Sequence, residues 1–84
     1  MDIDEIKARI RENRYVYSVH ADYERKADNL TIAHVEQALL SGTLLEDYPD
    51  TGRGESCLVV GHFENVPVHV VCGLRGDRIV LITV

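Results

Sequence analysis

Long hydrophobic runs, a basic N-terminus and multiple cysteines are all missing from this sequence, and each absence excludes a class of protein. The longest apolar runs, residues 58–60 and 79–84, are far shorter than the roughly 18 to 20 residues that a membrane-spanning helix requires. The N-terminal residues are acidic where a signal peptide is basic, and no apolar segment follows them. Two cysteines, Cys57 and Cys72, are too few for a disulfide scaffold and lack the close spacing of a zinc knuckle. We therefore expect a cytoplasmic protein that makes no membrane contact and contains two buried structural thiols.

Positive charge is also scarce. The sum of 9 lysines and arginines against 14 aspartates and glutamates gives a net charge of −5, so the chain lacks the dense basic surface that usually drives nucleic-acid binding. RNA is therefore disfavoured as a partner. The rest of the composition is ordinary for a globular protein, with 45% hydrophobic and 27% charged residues among 84. This length predicts a single domain over residues 1–84, and we place an N-terminal helix in its first part, residues 1–14.

The start of the chain has the pattern of a short helix followed by a strand. Three isoleucines recur with helical spacing, and Asp2 followed by Glu5 is typical of a capping box. These signals predict an amphipathic helix over residues 2–13. The β-prone segment 15–17 predicts a short first strand.

The middle of the chain contains capping residues for two more helices. Ser18 is a suitable N-cap for a helix over residues 20–28, which Asn29 would end in a left-handed conformation. Thr31 would cap the next helix, which ends at a C′ glycine, Gly42. The two helices are predicted to form a helical hairpin.

From residue 43 onward the pattern changes from helical to strand-like. Four strands are predicted, over residues 44–48, 57–63, 68–72 and 78–84. The segments between them are rich in proline, glycine, asparagine and aspartate, which favour the turns of antiparallel hairpins. The predicted fold class is therefore α+β, with N-terminal helices and a helical hairpin packed on an antiparallel β-meander.

A turn centred on Glu64 and Asn65 sets the register of the central hairpin. It pairs Phe63 with Val66 and, farther along the strands, Cys57 with Cys72. In this register both faces of the sheet are largely apolar, whereas a sheet with one wet face alternates polar and apolar residues. We expect the helical hairpin to cover one face, and the N-terminal helix, a second copy or a partner protein to cover the other.

A series of short motifs follows from residue 18 to the C-terminus. In chain order they are Ser18-Val19-His20-Ala21 to Glu24-Arg25, Leu30-Thr31 to Val35-Glu36, Ala38-Leu39, Gly42, Glu46-Asp47-Tyr48-Pro49, Gly61, Pro67 to His69-Val70-Val71, and Ile82-Thr83-Val84. This order resembles the bacterial family called domain of unknown function 4258, over residues 15–84. The resemblance implies a fold like that of the RelE, BrnT and MqsR toxins, which are small messenger-RNA endoribonucleases. It also implies an antitoxin as the partner protein.

Several residues could carry the chemistry of such an enzyme. Cleavage of RNA by its own 2′-hydroxyl needs a base, an acid and a cationic donor for the phosphate. His20 and Glu24 are one helical turn apart, and the adjacent Arg25 has a guanidinium suited to a phosphate. His69 lies among valines in a predicted strand, with His62 as its diagonal neighbour. We therefore predict His69 and His20 for proton transfer, Arg25 for phosphate binding and Glu24 beside His20, with no cofactor and no metal.

These residues also have structural alternatives. His20 could anchor the helical hairpin, and Arg25 could form an ion pair with Asp28 or Asp22. His69 could be a hydrogen-bonded core residue, since histidines flanked by valines often are.

The sequence also contains the residue types of a zinc site and of an anion-binding loop. Zinc ligands could come from His20, Glu24, His62 or His69, but their spacings match no recognised zinc motif. The loop over residues 49–55 contains glycines and an arginine that could form an anion-binding nest, although it lacks the lysine of a phosphate loop. A hairpin loop is the simpler interpretation.

Two hypotheses for function follow. The first is a toxin-like domain, a metal-independent messenger-RNA endoribonuclease of a toxin–antitoxin system or a diverged relative of one. The alternative is a non-catalytic protein-interaction module or homodimer. The family resemblance favours the first hypothesis, and the negative charge favours the second.

Overall fold

The computed structural model describes residues 1–50 and 52–84. These residues form three α-helices and five β-strands, which confirms the predicted α+β class. In chain order the elements are α1 (Ile3–Arg11), β1 (Tyr15–Tyr17), α2 (Val19–Ala27), α3 (Ile32–Leu40), β2 (Thr43–Tyr48), β3 (Ser56–Phe63), β4 (Val66–Arg75) and β5 (Arg78–Thr83). None of the helices in the described part of the chain is long and apolar enough to cross a membrane.

Each helix begins at the predicted N-cap. The side chain of Asp2 accepts a hydrogen bond from Asp4 N–H in α1, and Ser18 accepts one from Ala21 N–H in α2. In α3, Thr31 forms a capping box with His34, whose ring nitrogen accepts the Thr31 N–H. Local side-chain chemistry therefore fixes where the helices start.

Helix α2 ends as its sequence predicts. Asn29 is left-handed, with φ of 58°. The Asn29 N–H bonds to Lys26 C=O and the Leu30 N–H bonds to Arg25 C=O, which is the pattern of a Schellman motif. The chain then enters α3 within a few residues, so the predicted helical hairpin is present.

Helix α3 ends for a different reason from the one predicted. The left-handed φ angles of the described chain do not include Gly42, which follows the C-cap Ser41. A Cβ added at Gly42 would lie 2.7 Å from Cγ1 of Val59 in β3. Gly42 is therefore needed because the chain passes close to the sheet, and not because of its backbone angles.

The five strands form one sheet in the order β1-β5-β4-β3-β2. Strands β2 to β5 are the predicted antiparallel meander. The sequence did not predict that β1 pairs in parallel with β5, with Val16 opposite Val80. The sheet is therefore mixed, with the first strand of the chain beside the last.

The register of the β3–β4 hairpin is the predicted one. Phe63 pairs with Val66 and Cys57 pairs with Cys72. Glu64 and Asn65 have φ of 49° and 62°, which are the positive angles that a two-residue hairpin turn of type I′ requires. This turn fixes which side chains share a face.

All three helices cover the same face of the sheet. The core contains residues from α1, α2, α3 and the inward positions of the strands: Ile6, Ile10, Ala21, Val35, Ala38, Leu39, Cys57, Val59, Val68, Val70, Cys72, Ile79 and Leu81. Because Ile6 and Ile10 join this core, α1 does not cover the second face, and that alternative was wrong. The second face has no covering element among the described residues.

Candidate functional site

The side of the sheet opposite the helices, which we call the open face, has no covering element among the described residues. Its residues alternate with the buried ones along β1, β3, β4 and β5: Val16, Leu58, Val60, His62, Pro67, His69, Val71, Val80 and Ile82. The side chain of Val16 is 41% exposed. Most of the others are half-buried, and His62, Pro67 and His69 are exposed. An apolar sheet face without a covering layer is typical of a surface that binds another molecule.

Two histidines lie on the open face. Val60 is opposite His69 and His62 is opposite Pro67, so the two histidines are diagonal neighbours as predicted. Both are exposed, which means that the core alternative for His69 was wrong. No hydrogen bond of either imidazole occurs among residues 1–50 and 52–84. The imidazole of His69 is therefore free to meet a ligand.

His20 and Glu24 meet on the surface of α2. Nε2 of His20 lies 3.3 Å from Oε1 of Glu24, as their spacing of one helical turn predicted. The same carboxylate oxygen accepts the Val84 N–H at 3.2 Å. The side chain of His20 is 67% exposed, so it does not anchor the helical hairpin.

Arg25 is held by groups of its own domain. Its Nε and Nη2 donate to Oδ1 of Asp22 at 3.1 and 2.6 Å, and Nη1 donates to Leu30 C=O at 2.9 Å. The guanidinium also lies 5.6 Å from the centre of the Tyr17 ring. Only 12% of the Arg25 side chain is exposed. Of the two predicted ion pairs, the structure has the one with Asp22.

The predicted catalytic residues do not share one surface. His20 and Glu24 are in contact on α2, while the guanidinium of Arg25 turns away to Asp22 and Tyr17. His69 lies on the open face, across the sheet from the three helices. The described geometry therefore offers one acid–base pair and one separate imidazole.

Two tyrosines that the sequence did not single out form a polar cluster beneath the helices. Tyr15 donates a hydrogen bond to Glu36, and its ring lies 6.1 Å from that of Tyr17. The hydroxyl of Tyr17 is buried and has no hydrogen-bond partner in the described part of the chain. Burial raises the pKa of Tyr17 to about 12, so it is neutral. The sequence signal for this cluster is the alternation of tyrosine and valine over residues 15–17, which places both tyrosines on one face of the strand.

A cleft of about 480 Å³ lies where β5 ends, and we call it the β4 slot. Its lining includes Asp28 and Leu30 of the α2–α3 turn, Val66, Pro67 and His69 of β4, and Val84. The lining is therefore mostly apolar and includes one acidic residue and one histidine. The sequence could not predict it, because strands that end at different points become visible only in the assembled sheet.

The loop over residues 49–55 uses its backbone donors internally. The N–H groups of Gly52 and Gly54 donate to Oδ1 of Asp50 at 2.8 and 2.9 Å. These hydrogen bonds lower the pKa of Asp50 below its ordinary value. Thr51, which was part of the predicted nest, lies outside the described residues. The amides of the predicted anion site thus already bind the carboxylate of the loop itself.

Cys57 and Cys72 are free and fully buried, as predicted. The hydrogen bond with Cys57 is the main cause that raises the pKa of Cys72, and burial raises it further. The Cys72 thiol is therefore protonated. Within residues 1–50 and 52–84, no three histidine, cysteine, aspartate or glutamate side chains lie close enough together to hold a metal ion.

Comparison with known proteins identifies a family for most of the chain. Residues 17–84 match the family model described as Domain of unknown function (DUF4258). Neither the curated proteins nor the solved structures contain a match to the chain.

Proposed function

Because the chain belongs to the family described as Domain of unknown function (DUF4258), which names no activity, we propose a function from the geometry: a protein-interaction domain that binds its partner on the open face. The observation that supports this proposal is the six aliphatic side chains of that face, which no described element covers. Covering them with another protein removes apolar surface from water, which is the main driving force of protein association.

The aliphatic composition of the open face and the net charge of the chain support the same proposal. Aliphatic residues of three adjacent strands form the middle of the open face, including Val71, Val80 and Leu58. The net charge of −5 disfavours a nucleic-acid partner, because phosphates would be repelled. A protein partner with an apolar surface suits this face better.

We expect Val80→Glu to abolish partner binding without unfolding the domain. Val80 is half-buried in the middle of the open face, so a glutamate there would place a charge in the interface. The measurement is calorimetric binding to the proteins encoded next to this chain, together with light scattering to detect binding to a second copy. A loss of at least about tenfold in affinity, equal to 1.4 kcal/mol, is expected.

The matched control is Val19→Glu. Val19 is 91% exposed at the start of α2, on the helix side of the sheet, so this variant carries the same new charge away from the open face. It is expected to bind as the unaltered chain does. Equal effects of the two variants, or a chain that binds neither its neighbours nor itself, would rule out the proposal.

A second function, cleavage of messenger RNA as the toxin of a toxin–antitoxin pair, is favoured by the contact of His20 with Glu24. Glu24 could orient the His20 imidazole for proton transfer, and the exposed His69 could supply the second imidazole. In this function Arg25 would bind the phosphate, for which its guanidinium would have to leave Asp22 and Leu30. Because of that cost, we place the interaction function first.

The enzymatic function predicts RNA cleavage that continues in the presence of a chelator, since 2′-hydroxyl attack needs only proton transfer and phosphate donors. Expression of the unaltered chain should then arrest growth, and His20→Ala or His69→Ala should relieve the arrest. His62→Ala is the control, because His62 shares the open face with His69 but has no assigned role. An unaltered chain that neither arrests growth nor cleaves RNA would eliminate this function.

A further inference from the structure

Strand β4 extends beyond the end of its neighbour β5. Its residues Val71 to Arg75 pair with β5, and Thr83 is the last residue of β5. Residues 66–70 of β4 pair with β3 on one side, and no strand formed by residues 1–50 or 52–84 pairs with them on the other. This free edge forms one wall of the β4 slot.

The backbone groups that face the slot follow from the register. The two-residue turn makes Phe63 and Val66 a hydrogen-bonded pair, and such pairs recur at every second residue of an antiparallel ladder. The Leu74 N–H bond to Glu55 C=O, at 3.2 Å, agrees with this alternation at the far end of the ladder. Residues 66, 68 and 70 therefore bond to β3, and Pro67 and His69 direct their backbone groups into the slot.

Pro67 limits what this edge can bind. Proline has no N–H, so the edge presents the C=O of Pro67 and both the N–H and the C=O of His69. An antiparallel strand can satisfy both groups of His69 with one residue of its own. The edge suits a short extended segment better than a long strand.

The slot also has a preferred charge. Asp28 is one of the residues that line it, and the Asp28 side chain takes part in no ion pair among residues 1–50 and 52–84. A second carboxylate, that of Glu24, accepts the N–H of Val84, which also lines the slot. A second copy of this chain would bring Asp28 and Pro67 of its own to the same edge, so like charges would meet. A basic segment of a different protein would be attracted instead.

We infer that the β4 slot binds an extended segment of a partner protein, which adds to the edge of β4 as an antiparallel strand. The segment bonds to the backbone of His69, places aliphatic side chains against Leu30 and Val66, and places a lysine or arginine at Asp28. This inference rests on the proposed interaction function and names the chemistry of the partner.

The test is a selection of short linear peptides from a random library displayed on phage. Selection against the unaltered chain is expected to enrich extended peptides that contain a basic residue. Affinity for His69→Pro should fall at least about tenfold, because that variant lacks the backbone donor. His69→Ala removes the imidazole but keeps the donor, so it should lose much less affinity than His69→Pro. The ladder to β3 does not use the His69 N–H, so the proline variant can fold as Pro67 does.

Two further measurements test the backbone contact and the charge preference separately. In the unaltered chain, bound peptide should slow hydrogen exchange of the His69 amide at least about tenfold. The Asp28→Arg variant should enrich peptides of the opposite charge preference. Failure to enrich peptides, equal binding by His69→Pro, or protection of the amide by self-association alone would overturn the inference. If Val80→Glu still blocks partner binding while the slot variants bind the partner normally, only the inference fails. If Val80→Glu has no effect, the proposed function fails.

Discussion

Replacing Gly61 with alanine is expected to destabilise the folded chain by about 3 kcal/mol or more, a large fraction of the stability of a small domain. Gly61 lies in β3 beneath α3, and a Cβ added there would be 1.7 Å from the carbonyl oxygen of Ala38 and 2.5 Å from its carbonyl carbon. These are backbone atoms of a helix, which cannot turn aside as a flexible side chain can. The alanine variant can fold only if α3 moves away from the sheet and opens the core.

Urea unfolding followed by circular dichroism gives the free energy of unfolding for this comparison. Gly76→Ala is the control, because a Cβ there would meet no atom within 4 Å, although the φ of 64° at Gly76 disfavours alanine. That backbone penalty is about 1 to 2 kcal/mol, so the control should lose clearly less stability. If both variants lose the same amount, steric contact with α3 is not what requires glycine at position 61.

The features that the sequence predicted correctly are those that depend on local chemistry. Ser18 and Thr31 cap their helices because their hydroxyls reach backbone N–H groups only a few residues away. Asn29 ends α2 because asparagine tolerates a left-handed backbone. The turn at Glu64 and Asn65 fixes the register of the hairpin, which is why the pairing of Cys57 with Cys72 could be predicted.

The features that the sequence could not predict depend on which elements meet in three dimensions. Apolar residues occupy both faces of the sheet, so the pattern could not show which face the helices cover. The isoleucine stripe of α1 predicts that the helix is buried, but it contains nothing to show that the helix joins the same core as α3. The sequence could not show whether His69 is buried or exposed, because this depends on which face of the sheet the helices leave open.

The contacts of the candidate site also divide into those that local sequence predicts and those that depend on the assembled fold. The contact of His20 with Glu24 follows from helical spacing and was predicted. Asp22 was one of two predicted partners of Arg25, and their separation of three residues made the contact possible. Arg25 also contacts Leu30 C=O and the Tyr17 ring. The first contact requires the chain to turn back after α2, and the second requires β1 to lie beneath α2. They make Arg25 part of the framework of the domain.

Arg25→Ala is accordingly expected to lower the free energy of unfolding by roughly 2 to 3 kcal/mol, as expected for hydrogen bonds of a charged group that is mostly buried. Leu30 also donates its N–H to the Arg25 carbonyl, so the side chain reinforces a turn that the backbone already forms. Lys26→Ala is a matched control, because Lys26 contacts the same Asp22 carboxylate but is 66% exposed. Little change in stability is expected for that variant.

The dependence on pH provides an independent check of the same contact. The hydrogen bond from Arg25, with that from Lys26, lowers the pKa of Asp22 below its ordinary value of 3.8. A carboxyl whose pKa is lower in the folded than in the unfolded chain stabilises the fold above its ordinary pKa, and this stabilisation is lost as the pH falls through the folded value. The difference in stability between the unaltered chain and Arg25→Ala should therefore narrow as the pH falls below the ordinary pKa of 3.8 and through the lower pKa that Asp22 has in the folded chain. If Arg25→Ala instead leaves the unfolding curve unchanged at neutral pH while abolishing RNA cleavage, Arg25 serves the phosphate and the enzymatic function takes precedence over the interaction domain.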